Sequence, residues 1–183
     1  SNVMLNEGTP ATDIENGSIE ILDNYCRGDV NLNGDVNSND ASLVLRYSVH
    51  DPSVEIDGIA RANADATNDW TGLLDSLDYE ELTISAYDAY YILYYASQDE
   101  WPSEARADNA ELRMSDAAVQ PNAYFTMPVK LTGEMVNAAN FSLHFSEEML
   151  TLQSVEIAGE SIDANAIRQE DGTVYVSLVS LEG

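Results

Sequence analysis

The chain has 183 residues, with 33 Asp and Glu against 7 Lys and Arg and a formal net charge of −26. That length allows one or two domains with a sizeable core. The charge repels nucleic-acid phosphates and anionic membrane surfaces, which removes both as expected partners.

Cys26 stands alone, so neither an intrachain disulfide framework nor a cysteine-based zinc site is available. Arg27 beside it would lower its pKa, yet a bystander thiol is the plainer reading. No apolar run approaches the ~18 residues of a membrane span. Few basic residues with abundant Asp, Asn, Ser and Thr suit a secreted bacterial protein. Residues 1–26 read as a tail. Within it, Gly17-Ser18-Ile19-Glu20-Ile21-Leu22-Asp23 is strand-like, and either pairs with a sheet edge or frays.

Asp29-Val30-Asn31-Leu32-Asn33-Gly34-Asp35-Val36-Asn37-Ser38-Asn39-Asp40 is a twelve-residue loop with oxygen-bearing side chains at positions 1, 3, 5, 9 and 12 and glycine at 6. Hard Ca²⁺ takes six to eight oxygen ligands, and an EF-hand-type loop presents them at this spacing. Asp29, Asn31 and Asn33 offer side-chain oxygens and Asp35 its backbone carbonyl. Asn37 serves directly or through water, and Asp40 closes the loop where Glu is usual. Gly34 allows the bend with positive φ. A solvated Asx-turn is the competing reading, because Asn, Asp and Gly also build ordinary turns.

The segment Asp40-Ala41-Ser42-Leu43-Val44-Leu45-Arg46-Tyr47 then finds an echo in Asp88-Ala89-Tyr90-Tyr91-Ile92-Leu93-Tyr94-Tyr95. This is an internal repeat. Leu43, Val44 and Tyr47 share one helical face, as do Tyr91, Ile92 and Tyr95, and each stripe is expected to meet the other. The front of a second loop lies at Asn63-Ala64-Asp65-Ala66-Thr67-Asn68-Asp69, with Asn63, Asp65 and Thr67 at positions 1, 3 and 5 and Asn68 in place of glycine. Asp69 ends this front half as a further candidate ligand, and Asp88 closes the loop. An acidic insertion from Trp70 to about Thr83 separates the halves, so a second calcium site and a metal-free relic both remain open.

These units resemble a dockerin. The resemblance rests on Gly28-Asp29-Val30-Asn31, Val36-Asn37-Ser38-Asn39-Asp40 and the connection Asp57-Gly58-Ile59-Ala60-Arg61-Ala62-Asn63-Ala64-Asp65, and covers roughly residues 27–98. It implies a small all-α domain holding two Ca²⁺ ions and plugging into a cohesin domain of a cellulosome-type assembly. It also implies that positions 10, 11 and 18 of each repeat face that cohesin: Ser38, Asn39 and Arg46 in the first, Ala86, Tyr87 and Tyr94 in the second. The two triplets differ in charge and size, which argues for one preferred binding mode. Core packing is the alternative for Tyr87 and Tyr94.

Residues 99–107 read as an acidic linker, after which the period becomes two. Phe125-Thr126-Met127-Pro128-Val129-Lys130-Leu131 alternates, as do Ala139, Phe141, Leu143 and Phe145. Leu150/Leu152 and Val155/Ile157 follow with a change of phase, and Val174–Val179 forms a strand after the Asp171-Gly172 turn. Pro128 places its strand at an edge or bulge. Residues 108–183 are thus expected to be an antiparallel β-sandwich. The run Pro128-Val129-Lys130-Leu131-Thr132-Gly133, with Asn140–Phe145 and Leu150–Gly159, resembles the front portion of a cohesin. A complete cohesin would continue past Gly183, so an open sheet edge is expected. The fold class is α+β in two domains.

No H-E-x-x-H, G-x-S-x-G or phosphate-cradling glycine loop is present, and His50 and His144 lack a nearby nucleophile in sequence. So many carboxylates guarantee pairs at any spacing, so they carry no glycosidase argument. The expectation is a non-enzyme. Three roles follow: an assembly adaptor that plugs into a cohesin and offers its sandwich to another dockerin; a dockerin-anchored carbohydrate-binding or adhesive module, with Tyr175 as the outward aromatic; or a calcium-stabilised spacer.

Overall fold

A computed structural model describes residues 25–68, 70, 74, 77–103, 110–133, 136–159 and 161–182. The strand-like segment at 17–23 and the candidate ligand Asp69 lie outside the described residues. Three helices and two small antiparallel sheets make a mixed α+β molecule.

Helix α1 spans Ser38–Ser48, α2 Gly58–Ala64 and α3 Ala86–Gln98, with a 3₁₀ turn at Tyr79–Glu81. Both long helices begin with a capping box. Asn37 accepts from Asn39 N–H while Asp40 reaches back to the Asn37 N–H, and Ser85 with Asp88 repeats the pattern. Helices α1 and α3 pack together around Val44 and Ile92, both fully buried. The expected stripes meet only in part. Tyr47 turns instead to Arg61, whose Nη1 donates to its hydroxyl at 2.6 Å, and Tyr95 stacks on Trp101 with ring centroids 4.4 Å apart.

The helical unit extends beyond the expected bounds at both ends. Trp101, placed by sequence in a linker, lies under the Arg27 guanidinium at 4.2 Å. Its ring approaches Gly28 so closely that a Cβ there would sit 2.9 Å from Trp101 Cη2. At the other end, the Tyr25 hydroxyl accepts from Trp70 N–H at 3.1 Å. Residues 25–26 therefore belong to the unit rather than to a tail.

Five strands follow: β1 Glu111–Met114, β2 Val129–Thr132, β3 Ala138–His144, β4 Ala164–Glu170 and β5 Thr173–Val179. β1 and β2 pair as a separate ribbon, and the other sheet runs β3-β5-β4. The alternating run that begins at Phe125 becomes a strand only after Pro128, since proline restricts the residue before it and removes a ladder donor. Leu150, Leu152, Val155 and Ile157 form no strand, and the place expected for them is taken by β4. The Asp171-Gly172 turn is as expected: both residues have positive φ (45° and 70°), the mark of a tight hairpin turn.

The three-stranded sheet lies against the helices, α1 across β4 and β5 and α3 across β3 and β5. Ala138, Ala166 and Val179 join the same buried cluster as Val44, Leu45 and Ile92. Helical unit and sheet thus share one continuous core.

Candidate metal loops and the helical face

In the first loop, local hydrogen bonds gather the candidate ligands. Asp29 accepts from Asn33 N–H through Oδ1 at 3.0 Å and from Gly34 N–H through Oδ2 at 2.9 Å. The second bond requires the sharp bend at Gly34, whose φ is 90°. Asn31 Oδ1 accepts from Asn33 N–H and Asn33 Oδ1 from Asp35 N–H. Asp40 then closes the loop. Its Oδ1 takes Val30 N–H, Asn31 N–H and the Asn31 amide at 2.7–3.1 Å, and Oδ2 takes Asn37 N–H at 3.0 Å.

The second loop closes by the same device. Asp88 Oδ1 accepts from both the backbone and the hydroxyl of Thr67 at 3.1 Å, and Oδ2 from Ser85 N–H at 2.9 Å. Thr67 therefore stands where Asn31 stands, at position 3, which puts Asp65 at position 1 opposite Asp29. The sequence-based register, with Asn63 at position 1 and Asp65 and Thr67 at 3 and 5, is displaced by two residues. The signal was present: Arg27-Gly28-Asp29 aligns with Asn63-Ala64-Asp65.

Asn63, freed of that role, is a bridge. It is fully buried; its Oδ1 accepts from Cys26 N–H at 3.0 Å and its Nδ2 donates to Asp29 carbonyl at 2.7 Å. Gly28 N–H also donates to Asn63 carbonyl at 2.8 Å. Arg27 answers from the other side, donating through Nε at 2.8 Å to the Ala66 carbonyl. The residues just before each loop thus tie the two loops together.

The insertion also leaves its mark. Where Gly34 N–H serves Asp29, the Trp70 indole Nε1–H serves Asp65 at 3.2 Å. Asn68 and the Thr67 hydroxyl supply the remaining donors.

Asp29, Asp40, Asp65 and Asp88 are all at most 4 % exposed. Burial pushes the Asp40 carboxyl up, with the Asp29 charge adding to the effect, against the N–H groups that lower it. Burial raises Asp88 to about 6, and the neighbouring Asp65 charge pushes the same way. Among the described residues, no ion pair reaches any of the four. No group of three or more His, Cys, Asp or Glu converges among the described residues either. Each loop thus offers two carboxylates, with amide, hydroxyl and carbonyl oxygens around them. Such a donor set fits a hard cation such as Ca²⁺ and not zinc. Asp35 gives its N–H to Asn33, and its side chain faces solvent.

Cys26 departs from the expected direction. Burial and then the charges of Asp29 and Asp40 raise its pKa, while the Arg27 guanidinium is engaged by the Ala66 carbonyl and the Trp101 ring.

The residues assigned to partner binding fall into unequal settings. Ser38 and Asn39 are exposed. Arg46 is half-buried, held by Asp51 at 2.9 Å and Ser53 at 2.6 Å. Tyr94 leans on Tyr90, ring centroids 5.9 Å apart, and Tyr87 is half-buried. Ala86 is fully buried, and its N–H donates to Asn140 Oδ1 on β3 at 2.7 Å. A partner touching Ala86 would first have to displace that strand. Tyr175 meets His50 edge-on at 5.3 Å, so its ring packs against α1's C-terminus.

Comparison with known proteins finds no family model, no curated protein and no solved structure that matches the chain.

Proposed function

We propose that this chain is a calcium-dependent assembly module of the dockerin kind. On this reading, it binds a cohesin-type β-sandwich of another protein within a secreted, bacterial, polysaccharide-degrading complex. It works by binding rather than catalysis. The supporting observation is the matched closure of the two loops: Asp40 and Asp88 each hold the helix N-cap with one oxygen and the front of their loop with the other. A pair of oxygen-lined loops related in this way is what two divalent cations would use to fix two packed helices as one plug.

Bound Ca²⁺ would supply positive charge between the buried carboxylates of each loop, lowering the cost of keeping them ionised. Asp29, Asn31, Asn33 and Asp40 would hold one ion, Asp65, Thr67 and Asp88 the other. The helical face carrying Ser38, Asn39, Arg46, Tyr87 and Tyr94 is the proposed partner surface. Residues 108–183, which hold a ribbon and a three-stranded sheet instead of the expected sandwich, would serve as a receptor for a second dockerin only if completed, so the adaptor role is secondary to the plug. The test is titration against a panel of cohesin domains in calcium and in EGTA. Binding that survives chelation, or no binding to any cohesin in calcium, overturns the reading.

A further inference from the structure

The sheet that lies on the helices does so with an unexpected side. Side chains alternate across a strand, and Ser177 of β5 touches α1, its Oγ 2.9 Å from Ser48 Oγ. Thr173, Tyr175, Ser177 and Val179 therefore face the helices, while Val174, Val176 and Leu178 face away. The register places Ala138, Asn140 and Ser142 of β3 and Ala164, Ala166 and Arg168 of β4 on the helix side with them. Phe141, Leu143 and Ile167 sit on the opposite side. The helices thus rest on the side of the sheet that is mainly small and polar, with Val179 and Tyr175 as its larger groups, while Val174, Val176, Phe141, Leu143 and Ile167 point away.

A sheet fixed permanently to helices buries its larger apolar side against them. Interfaces between domains of one chain are more polar than permanent ones, and relative motion across them is the default. The fastenings here match: one hydroxyl pair, the Ala86 N–H to Asn140, the Arg168 guanidinium to the His50 carbonyl, and the His50–Tyr175 ring contact. The methyl groups of Ala138 and Ala166 fill the space between. Residues 99–137 join α3 to β3, long enough for the sheet to leave without disturbing either unit. The covered surface includes Ala86 and adjoins Arg46, which with Ser42 and Val49 lines a groove of about 380 Å³ against Asn165, Ile167 and Arg168 of β4.

We infer that the α1/α3 face is a sheet-docking surface and that the β3-β5-β4 sheet is its detachable occupant within the same chain. An external β-sandwich presenting a similar small, polar sheet face competes with it. Only the identity of that external sandwich as a cohesin rests on the function proposed above.

Two measurements in calcium test this on the full chain carrying Cys26→Ser. In the first, Ser177→Cys provides a buried thiol at the contact and Val44→Cys one between the helices. Detachment predicts that a thiol reagent labels position 177 at least tenfold faster than position 44; equal rates overturn the inference. In the second, Ser48→Cys with Ser177→Cys, oxidised, locks the contact and reduction releases it. Reduced protein is expected to bind a responsive cohesin at least tenfold more tightly than oxidised protein, and equal affinity overturns the inference. Fast labelling at 177 with no cohesin bound by either form supports the detachable sheet and refutes the cohesin as its competitor.

Discussion

Replacing Asn63 with alanine separates a structural bridge from a metal ligand. The Asn63 amide is fully buried and satisfies two backbone groups, Cys26 N–H at 3.0 Å and Asp29 carbonyl at 2.7 Å. Alanine leaves both without a side-chain partner, and an unsatisfied buried polar group costs about 1–3 kcal/mol. The two share one site and relax together, so the loss should be about 3 kcal/mol rather than the full sum. For a chain of this size that corresponds to roughly 6–12 °C in Tm. Because Asn63 precedes the second loop instead of opening it, the same drop is expected in calcium and in EGTA. Asp65→Asn should behave in the opposite way, removing most of the calcium-dependent part of the Tm for its site. Paired thermal melts of the two variants in both media decide it. If the Asn63→Ala penalty disappears in EGTA, Asn63 is a ligand and the two-residue change of register is wrong.

Saturating calcium should stabilise the fold: at a hundred times its Kd, each independent site adds about 2.7 kcal/mol, so EGTA should lower Tm clearly and an unchanged melt refutes metal binding. In EGTA, Asp88 gives stability a pH dependence. Its folded pKa of about 6 lies above the ordinary 3.8, so the folded state binds the extra proton and stability falls as pH rises from about 4 to 6, by up to roughly 3 kcal/mol. Urea titrations should show this fall in the parent and a flatter profile in Asp88→Asn; parallel profiles refute the assignment. Gly28→Ala should cost about 1–3 kcal/mol by denaturant titration, since φ there is 89° and the new methyl would lie 2.9 Å from both Trp101 and Val36. A neutral outcome would mean Trp101 does not press on the loop.

The first loop was legible because its chemistry is local. Asp29, Asn31, Asn33 and Asp40 bond to N–H groups within the same twelve residues, so spacing alone encodes their convergence. The caps at Asp40 and Asp88 were legible for the same reason. The second loop's front was not, because the insertion breaks the spacing and Asn63 resembles a ligand by residue type. Its true work, bonding to Cys26 and Asp29, depends on contacts across 34 or more residues that a linear pattern does not carry. Strand β4 was hidden too. Ala164, Ala166 and Arg168 alternate with Asn165, Ile167 and Gln169, so neither side reads as apolar, while the more regular Leu150–Ile157 stretch forms no strand.

The difficulty with β4 and the unusual seating of the sheet have one origin. A strand reads clearly from sequence when one side meets a core and the other meets water, because composition then alternates sharply. β4 contributes Ala164, Ala166 and Arg168 to a contact with α1, a side neither solvated nor filled by large apolar groups. Docking surfaces need small side chains for close approach and polar ones that survive exposure when the partner leaves, and this blurs the period-two signal. The same blurring occurs on α1. Ser48 bonds Ser177 on the same helix whose Val44 is fully buried, so α1 carries a polar group where it meets the sheet. Both surfaces therefore mix polar groups with the apolar ones they bury. For that reason, substitutions that make the contact more apolar, such as Ser177→Val with Ser48→Ala, should fasten the sheet more tightly. Slower thiol labelling at a reporter in Ala138→Cys (Cys26→Ser background), buried at 2 % exposure on the same side of β3, would show it, and faster labelling would mean that the hydroxyl pair is what holds the two units together.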